Sequence, residues 1–352
     1  MKRLYITEIG NSAENIAGRL ELREMGKPVP RSDEVLIKVA YSCICGSDGH
    51  TVRGSLGDFS DRLRGMLPMT VGHEISGVIE SVGENAKRMG FAPGNRVTGS
   101  PMQYCGSCVF CHTGKENFCQ NKIPRMDGIA EYVCWHMSQV FKLPDDVDLR
   151  HGALTEPVSV AFGAAEMVNV RLGSRVAIFG GGGIGQLAAQ VARLAGAALV
   201  AVIEPVADKR TLALRLGADF TIDPAAEDVK TRSDELTGSL GFDSVIEASG
   251  AAVAAAQALD ILTPDGDVVY FSMYDPTFML PLNLFWQQYW QQKHIHGMFN
   301  SNDIFPRVTS VLNRLELESL IQREYPLSDY EQAFSDQFTG KYAKVMLKCN
   351  DL

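Results

Sequence analysis

The sequence predicts an α/β protein in which a doubly wound parallel sheet is joined to a second, β-rich domain. Three observations predict it. A glycine-rich turn at 180–185 links an apolar strand to a helix, strands alternate with Ala/Leu-rich helices from 158 to 295, and short Val/Ile runs broken by Gly and Pro fill the chain up to 157.

In chain order, Val35–Ala40, Ile75–Val82 and Tyr132–Val140 are strand-like runs of the first domain. The second stretch begins with a strand at Val176–Phe179 and a helix on which Ile184, Leu187, Ala188, Val191, Ala192 and Ala195 recur at helical spacing up to Gly196. Leu199–Ile203 is the next strand. Ala207–Leu216 then reads as helix, Phe220–Ile222 and Ser244–Ala248 as strands, Ala251–Leu262 as helix and Val268–Phe271 as strand. Phe278–His296 interleaves aromatics with glutamines and reads as a packed helix leading into an edge strand. After 296 the pattern is mixed: Ser328 and Glu331 have capping-box spacing before a short helix, and Tyr342–Leu347 is a closing strand. The expected domains are therefore 1–157, completed by 296–352, and 158–295. No repeat, Pro-rich linker or long charge run intervenes, so the two are expected to pack with a cleft between them.

Gly180, Gly182 and Gly185 stand in G-x-G-x-x-G spacing, and Gly183 and Ile184 complete the turn. That spacing allows a tight turn, close approach of backbone to a pyrophosphate, and close packing of helix on sheet. The helix N-terminus adds N–H groups and a partial positive charge. Glu204 follows the second strand, roughly 20 residues on, where an acid accepts hydrogen bonds from an adenosine ribose and repels a 2'-phosphate. NAD is the expected cofactor, with Ser272 and Met298 as further binding candidates.

The chain has 352 residues, 45% hydrophobic and 21% charged, as an ordinary globular protein of two domains does. Lys+Arg number 33 against Asp+Glu 42, a net charge of -9, so no general basic field exists for nucleic acid or an anionic membrane. MKRLYITEIGNS lacks an apolar signal core and no run reaches the roughly 18 apolar residues of a membrane helix, so a cytoplasmic protein is expected.

Of eight cysteines, Cys105, Cys108, Cys111 and Cys119 form C-x2-C-x2-C-x7-C. Four thiolates with no open position describe a tetrahedral structural zinc site, although an iron–sulfur cluster uses the same ligand type. His112 lies among them but is not needed as a ligand. A second, dispersed set comprises Cys45-Gly46-Ser47-Asp48-Gly49-His50, Gly72-His73-Glu74 and Thr155-Glu156-Pro157. A thiolate, an imidazole and carboxylates can hold zinc with one position open, the arrangement of a catalytic site.

On these motifs, with Asp127-Gly128 and Glu131-Tyr132, the chain resembles the zinc-dependent medium-chain alcohol dehydrogenases over essentially its full length. The resemblance implies a GroES-like catalytic domain split around a Rossmann nucleotide domain. Glu156-Pro157, where the classical alcohol dehydrogenases carry a cysteine ligand, is similar to the polyol and threonine dehydrogenase branch. It implies zinc on Cys45, His73 and Glu74, with Glu156 binding directly or through a water, a proton relay through Ser47 and His50, and Lys209 near the adenosine ribose. It also puts the 278–296 segment near the substrate cleft and the subunit contact, and implies a homodimer or homotetramer. Sorbitol dehydrogenases of this branch carry Arg-Tyr after Gly-x-Phe, whereas Gly297-Met298-Phe299 is followed here by Asn300-Ser301, so that substrate contact is missing.

The expected chemistry is hydride transfer between NAD and a secondary alcohol, with zinc as Lewis acid lowering the pKa of the substrate hydroxyl. Glu156, Asn300, Ser301 and Asn302 suggest a site rich in donors and acceptors, hence a polyol, cyclitol or sugar-derived alcohol. Threonine or a butanediol is the alternative substrate. A non-catalytic nucleotide-binding protein would have no reason to keep the acid and histidine together, and zinc-free quinone reductases would lack Cys45 and the cysteine loop.

Overall fold

Short Val/Ile runs need partners on both edges, and the computed structural model shows where each finds them; it describes residues 1–14, 17–300 and 304–352. The chain divides into two compact units, Met1–Glu156 with Phe305–Leu352, and Pro157–Ile304.

In the first unit a seven-stranded sheet runs in the order Val140–Lys142, Arg96–Gly99, Glu74–Val82, Glu34–Cys43, Lys344–Lys348, Ile321–Pro326, with Tyr132–His136 also pairing Glu34–Cys43. The strand expected over 132–140 is interrupted by a 3-10 turn at Met137–Gln139, which starts on His136 accepting the Ser138 N–H. Glu34–Cys43 is the axis of this sheet. It pairs antiparallel with Glu74–Val82 on one side and Lys344–Lys348 on the other, in a register that sets Glu74 opposite Cys43 and Met346 opposite Cys43. Its buried Val35, Ile37 and Val39 meet Ile75, Ile79, Val133, Trp135, Val345 and Leu347 in one core. Each such aliphatic side chain contributes about 1.5–3 kcal/mol on burial, so the sheet geometry beneath the site is strongly held.

The second unit is a six-stranded, wholly parallel sheet. Its strands are β1 Arg175–Phe179, β2 Leu199–Ile203, β3 Phe220–Ile222, β4 Phe242–Glu247, β5 Leu262–Tyr270 and β6 His294–Gly297. Their spatial order is β3-β2-β1-β4-β5-β6, the doubly wound Rossmann order with its switch point between β1 and β4. Helices Gly183–Leu194, Ala207–Arg215, Val229–Thr237 and Ala252–Asp260 form the connections. The composition change at 295 falls inside β6, because that strand pairs with β5 through His294, Ile295, His296 and Gly297.

Two local expectations fail. The Ser328–Glu331 capping box does not form: Ser328 lies in a 3-10 turn and its hydroxyl bonds Asp329, while helix Tyr330–Phe338 starts without a side-chain cap. The 278–296 segment is not a packed α-helix. Leu284–Trp290 is a π-helical turn whose Leu284, Phe285, Trp286, Tyr289 and Trp290 side chains are exposed in the single chain. Among the described residues no helix is long and apolar enough to cross a membrane.

Candidate active site

Three strands and one helix start converge in the first unit. Cys45 follows Glu34–Cys43 and is the N-cap of helix Gly46–Arg53, where Asp48 in the first turn accepts the Cys45 N–H at 3.0 Å. Gly72 precedes the next pair of candidates with φ +90°, and a Cβ there would lie 2.3 Å from the Ile129 side chain, so only glycine lets the chain turn His73 and Glu74 inward. Ligand atoms of Cys45, His73 and Glu74 all lie within 4.8 Å of one another. Glu156, in the first turn of helix Thr155–Met167, is buried but falls outside that set.

The electrostatics of this cluster ask for a cation. His73 is buried, which works against its charged form, yet the neighbouring Cys45, Asp48 and Glu156 raise its pKa well above the ordinary value. Burial pushes Asp48 up and Glu156 up to about 7, in both cases against the pull of His73. Burial lowers Lys344 but Glu74 outweighs it, and the ammonium is held above its usual range. Three buried carboxyl groups, Asp48, Glu74 and Glu156, and the half-buried thiol of Cys45 thus face one lysine. Each shift retains a proton to offset negative charge, which a dication would do instead. Asp48 Oδ1 and His73 Nδ1 lack hydrogen-bond partners and stand 3.7 Å apart, too long for a bond but placed for the carboxylate to orient the ring as a metal's outer partner. The donor set fits zinc.

Lys344 is the unexpected member. Its Nζ donates to both Glu74 oxygens, at 2.6 and 2.5 Å, with both side chains buried. Glu74 therefore sits among the ligand atoms with its charge already matched.

The relay candidates are both on helix Gly46–Arg53, three residues apart. Ser47 is half-buried and its carbonyl accepts the Thr51 hydroxyl, while His50 Nδ1 lies 2.7 Å from Ser55 Oγ. Their side chains share no hydrogen bond. Burial, then the nearby Arg53 charge, lowers the His50 pKa, favouring a neutral imidazole.

The four-cysteine loop closes on itself. Cys105 Sγ lies 3.9 Å and Cys108 Sγ 3.6 Å from Cys111 Sγ, and the Cys105 N–H points to Cys119 Sγ at 3.4 Å. Zinc–sulfur bonds of ~2.3 Å give tetrahedron edges of about 3.8 Å, so one ion fits where a cluster, whose thiolates sit on different metal atoms, would need wider spacing. None of the four is in a disulfide; hydrogen bonds, first from the Ser107 backbone, lower Cys105 to about 5, while burial and then the contact with Cys108 push Cys111 up to about 12, so the crowded sulfurs hold protons that a metal would displace. His112 is exposed and outside the group.

In the second unit the three glycines serve three different needs. Gly180 has φ +95° and its Cβ would press on the Ala248 backbone. A Cβ on Gly185 would lie 1.8 Å from the Gly180 carbonyl, so helix Gly183–Leu194 could not pack. Gly182, the N-cap of that helix, has φ -70° and nothing within 4 Å of the missing Cβ. The fold does not need glycine there, and the bare backbone leaves room for a ligand to approach closely.

Glu204 is buried and fixed: Oε2 accepts the Gly181 N–H at 2.6 Å and Oε1 the Val206 N–H at 2.9 Å. Gln186 ties the same parts together, donating to the carbonyls of Gly181 and Lys209. Gly183, Ile184 and Lys209 are half-buried around the turn. Ser272 donates to the Glu247 carbonyl at 3.1 Å, and the Met298 N–H points to the Tyr270 carbonyl at 3.4 Å. Ser301 and Asn302 lie outside the described residues, and Asn300 beside them has φ +57°.

Residues 31–145 match the alcohol dehydrogenase GroES-like domain and 183–314 the zinc-binding dehydrogenase domain. A sorbitol dehydrogenase of Halalkalibacterium halodurans is 32% identical over 359 residues, 99% of each chain. The chain belongs to the zinc-binding alcohol dehydrogenases. A solved candidate zinc-binding dehydrogenase of Clostridium scindens superposes with TM-score 0.96 at 44% identity over 99% of both chains. Another, from Sinorhizobium meliloti and bound to NADP, gives 0.85 at 30% over 98% of this chain and 99% of that one. Further relatives include dehydrogenases of a deoxy sugar acid, of D-arabitol phosphate and of L-threonine. The protein is accordingly a zinc-dependent oxidoreductase of CH–OH groups that uses a nicotinamide dinucleotide.

For this dehydrogenase, reading the sequence missed Asp48 as a partner of His73, Lys344 as the counter-ion of Glu74, and Arg210. The guanidinium of Arg210 clamps the acid's turn through the carbonyls of Glu204 and Pro205 and pairs with Asp223 at 2.9 Å. Asp48 had a local signal, since an acid in a helix's first turn after an N-cap is a known pattern. Lys344 had none.

Proposed function

We propose that this dehydrogenase oxidises a secondary hydroxyl of a polyol, cyclitol or sugar-derived alcohol, with NAD preferred over NADP. The observation that carries the reading is the buried acidic cluster around Cys45, His73 and Glu74, whose field calls for a dication. Bound zinc supplies a Lewis acid that lowers the pKa of the substrate hydroxyl, and bound NAD accepts hydride. Cys45 and His73 hold the metal with a carboxylate, and because Lys344 already matches Glu74, Glu156 supplies the remaining negative charge, directly or through a water. Asp48 orients His73. His50, kept neutral, takes the proton that leaves through Ser47. Glu204 is held in place to accept from the ribose and to oppose a 2'-phosphate; like charges about 4 Å apart cost about 4 kcal/mol at an effective dielectric near 20. A homodimer or homotetramer completes the proposal.

A site so rich in buried carboxylates suits a ligand with several hydroxyls, and such a site rejects analogues lacking them by about 10^4. The test is NADH formation from sorbitol, xylitol, inositol, threonine, 2,3-butanediol and 2-propanol, each with NAD and NADP. Polyols should exceed 2-propanol in kcat/KM, NAD should exceed NADP, and Glu204→Ala should narrow that second gap. A better rate with 2-propanol or threonine than with every polyol refutes the substrate class; equal rates with NADP refute the role of Glu204.

A further inference from the structure

The loops leaving the carboxyl ends of β4 and β5 are tied together by one buried carboxylate that none of the motifs above includes. Glu247 is the last residue of β4, is fully buried, and stands in register with Phe179, the residue before the first glycine of the turn. Its Oε1 accepts the N–H groups of Ser249 at 2.8 Å and Gly250 at 3.1 Å and the Ser249 hydroxyl; its Oε2 accepts the phenol of Tyr274. The Ser272 hydroxyl bonds the Glu247 carbonyl. Two loops, one leaving β4 and one leaving β5, are therefore fastened to a single residue.

They are also packed on each other and on the glycine turn. A Cβ on Gly250 would lie 3.4 Å from the Met273 carbonyl oxygen and 3.5 Å from Ser272 Cβ, and one on Gly180 would lie 3.1 Å from the backbone of Ala248 and Ser249. Tyr274 stacks on Phe278 with ring centroids 5.5 Å apart, so holding one phenol holds the segment up to 278. Burial, and then Glu247 itself, raises the Tyr274 pKa above the usual tyrosine value, so the phenol keeps its proton and donates. A carboxylate taken out of water is tolerated only when its oxygens are bonded, and here the donors come from the two loops.

In a doubly wound sheet the dinucleotide lies outside the carboxyl ends of the strands at the switch point, here β1 and β4. We propose that Tyr274 is a positioning residue for the dinucleotide: its bond to Glu247 holds the 272–278 loop in place before binding and so sets the affinity for the cofactor. A loop ordered in advance adds no ordering cost at binding, whereas a released loop must be re-ordered each time.

The proposal rests on the dinucleotide lying over the glycine turn, which Gly182→Val tests separately. Tyr274→Phe keeps the ring and its stacking and removes only the hydroxyl. NADH affinity is measured by fluorescence titration of the zinc-loaded enzyme, and backbone amide exchange across 272–278 is measured without cofactor. The expected result is an NADH dissociation constant raised about tenfold and faster exchange confined to that loop, with zinc content unchanged and no fall in kcat at saturating NAD. An unchanged dissociation constant or unchanged exchange overturns it, as does a matching loss of zinc or of kcat, which would mark general damage. If Gly182→Val binds NADH as the wild type does, the cofactor's place is wrong and the proposal falls with it.

Discussion

Gly182 and Gly185 offer a sharp test, because the fold demands one glycine and leaves the other unexplained. At Gly182 the backbone, φ -70° and ψ -176°, is open to any residue, and a Cβ meets no atom within 4 Å. Gly182→Val therefore changes only an N-cap, worth at most about 1 kcal/mol of folding stability. Its cost should fall on the cofactor. A methyl keeps a phosphate oxygen about 3.5–4 Å away, whereas an N–H···O bond needs about 2.9 Å. Losing two hydrogen bonds to a charged group at about 1.5–3 kcal/mol each removes roughly 3–6 kcal/mol, a 10^2- to 10^4-fold rise in the NADH dissociation constant. Gly185→Val should do the reverse: its Cβ would lie 1.8 Å from the Gly180 carbonyl oxygen, so thermal stability falls before cofactor binding can be judged. The pair is read by NADH fluorescence titration beside a thermal melt and zinc analysis. Native stability and near-wild-type NADH affinity in Gly182→Val would falsify the placement of the pyrophosphate. Gross unfolding of that variant would show that the open space above residue 182 has been misjudged.

Elemental analysis of protein purified without added metal should find two zinc ions per chain, one for each ligand group. Cys45→Ser should lose one of them and the activity while staying folded, and Cys108→Ser should lose the other together with thermal stability, since structural zinc adds directly to folding free energy; iron, or a single ion, in the wild type overturns the assignment. Lys344→Met leaves Glu74 as an unmatched buried charge and should cost about 3–5 kcal/mol in denaturant unfolding, much of it recovered in the Lys344→Met/Glu74→Gln double variant. If the single and double variants are equally unstable, the ion pair is not what Lys344 provides. His50, its pKa lowered by burial, binds a proton more readily unfolded than folded, so its contribution to stability is present at neutral pH and lost as the pH falls below about 6.5. The rate of alcohol oxidation should fall over the same acidic range as the imidazole charges, and His50→Gln should lower the rate and remove that limb; an unaltered pH–rate profile in the variant excludes His50 from the proton path.

What the sequence alone determined was everything whose cause is local. The Gly180–Gly185 turn declares its strand and helix within a dozen residues, and Cys105–Cys119 is a loop short enough for four thiols to reach one ion whatever surrounds it. The strands of the parallel sheet were legible because buried apolar runs and Ala/Leu helices alternate, and periodicity needs no knowledge of partners. The local patterns failed where a competing contact won: Ser328 bonds Asp329 instead of capping a helix, and the aromatics of Leu284–Trp290 face outward although their composition reads as core.

Tertiary structure decided the rest of the site. Glu74 and Lys344 are 270 positions apart, and they meet only because the strands that begin with them flank Glu34–Cys43 on either side. Glu247 reads as an ordinary acid at a strand end until Ser249, Gly250 and Tyr274 are brought around it. Neither role leaves a trace in spacing or composition, because an ion pair or a buried carboxylate is defined by the side chains that exclude water from it. Those neighbours are fixed by sheet register, and register is a property of the folded chain.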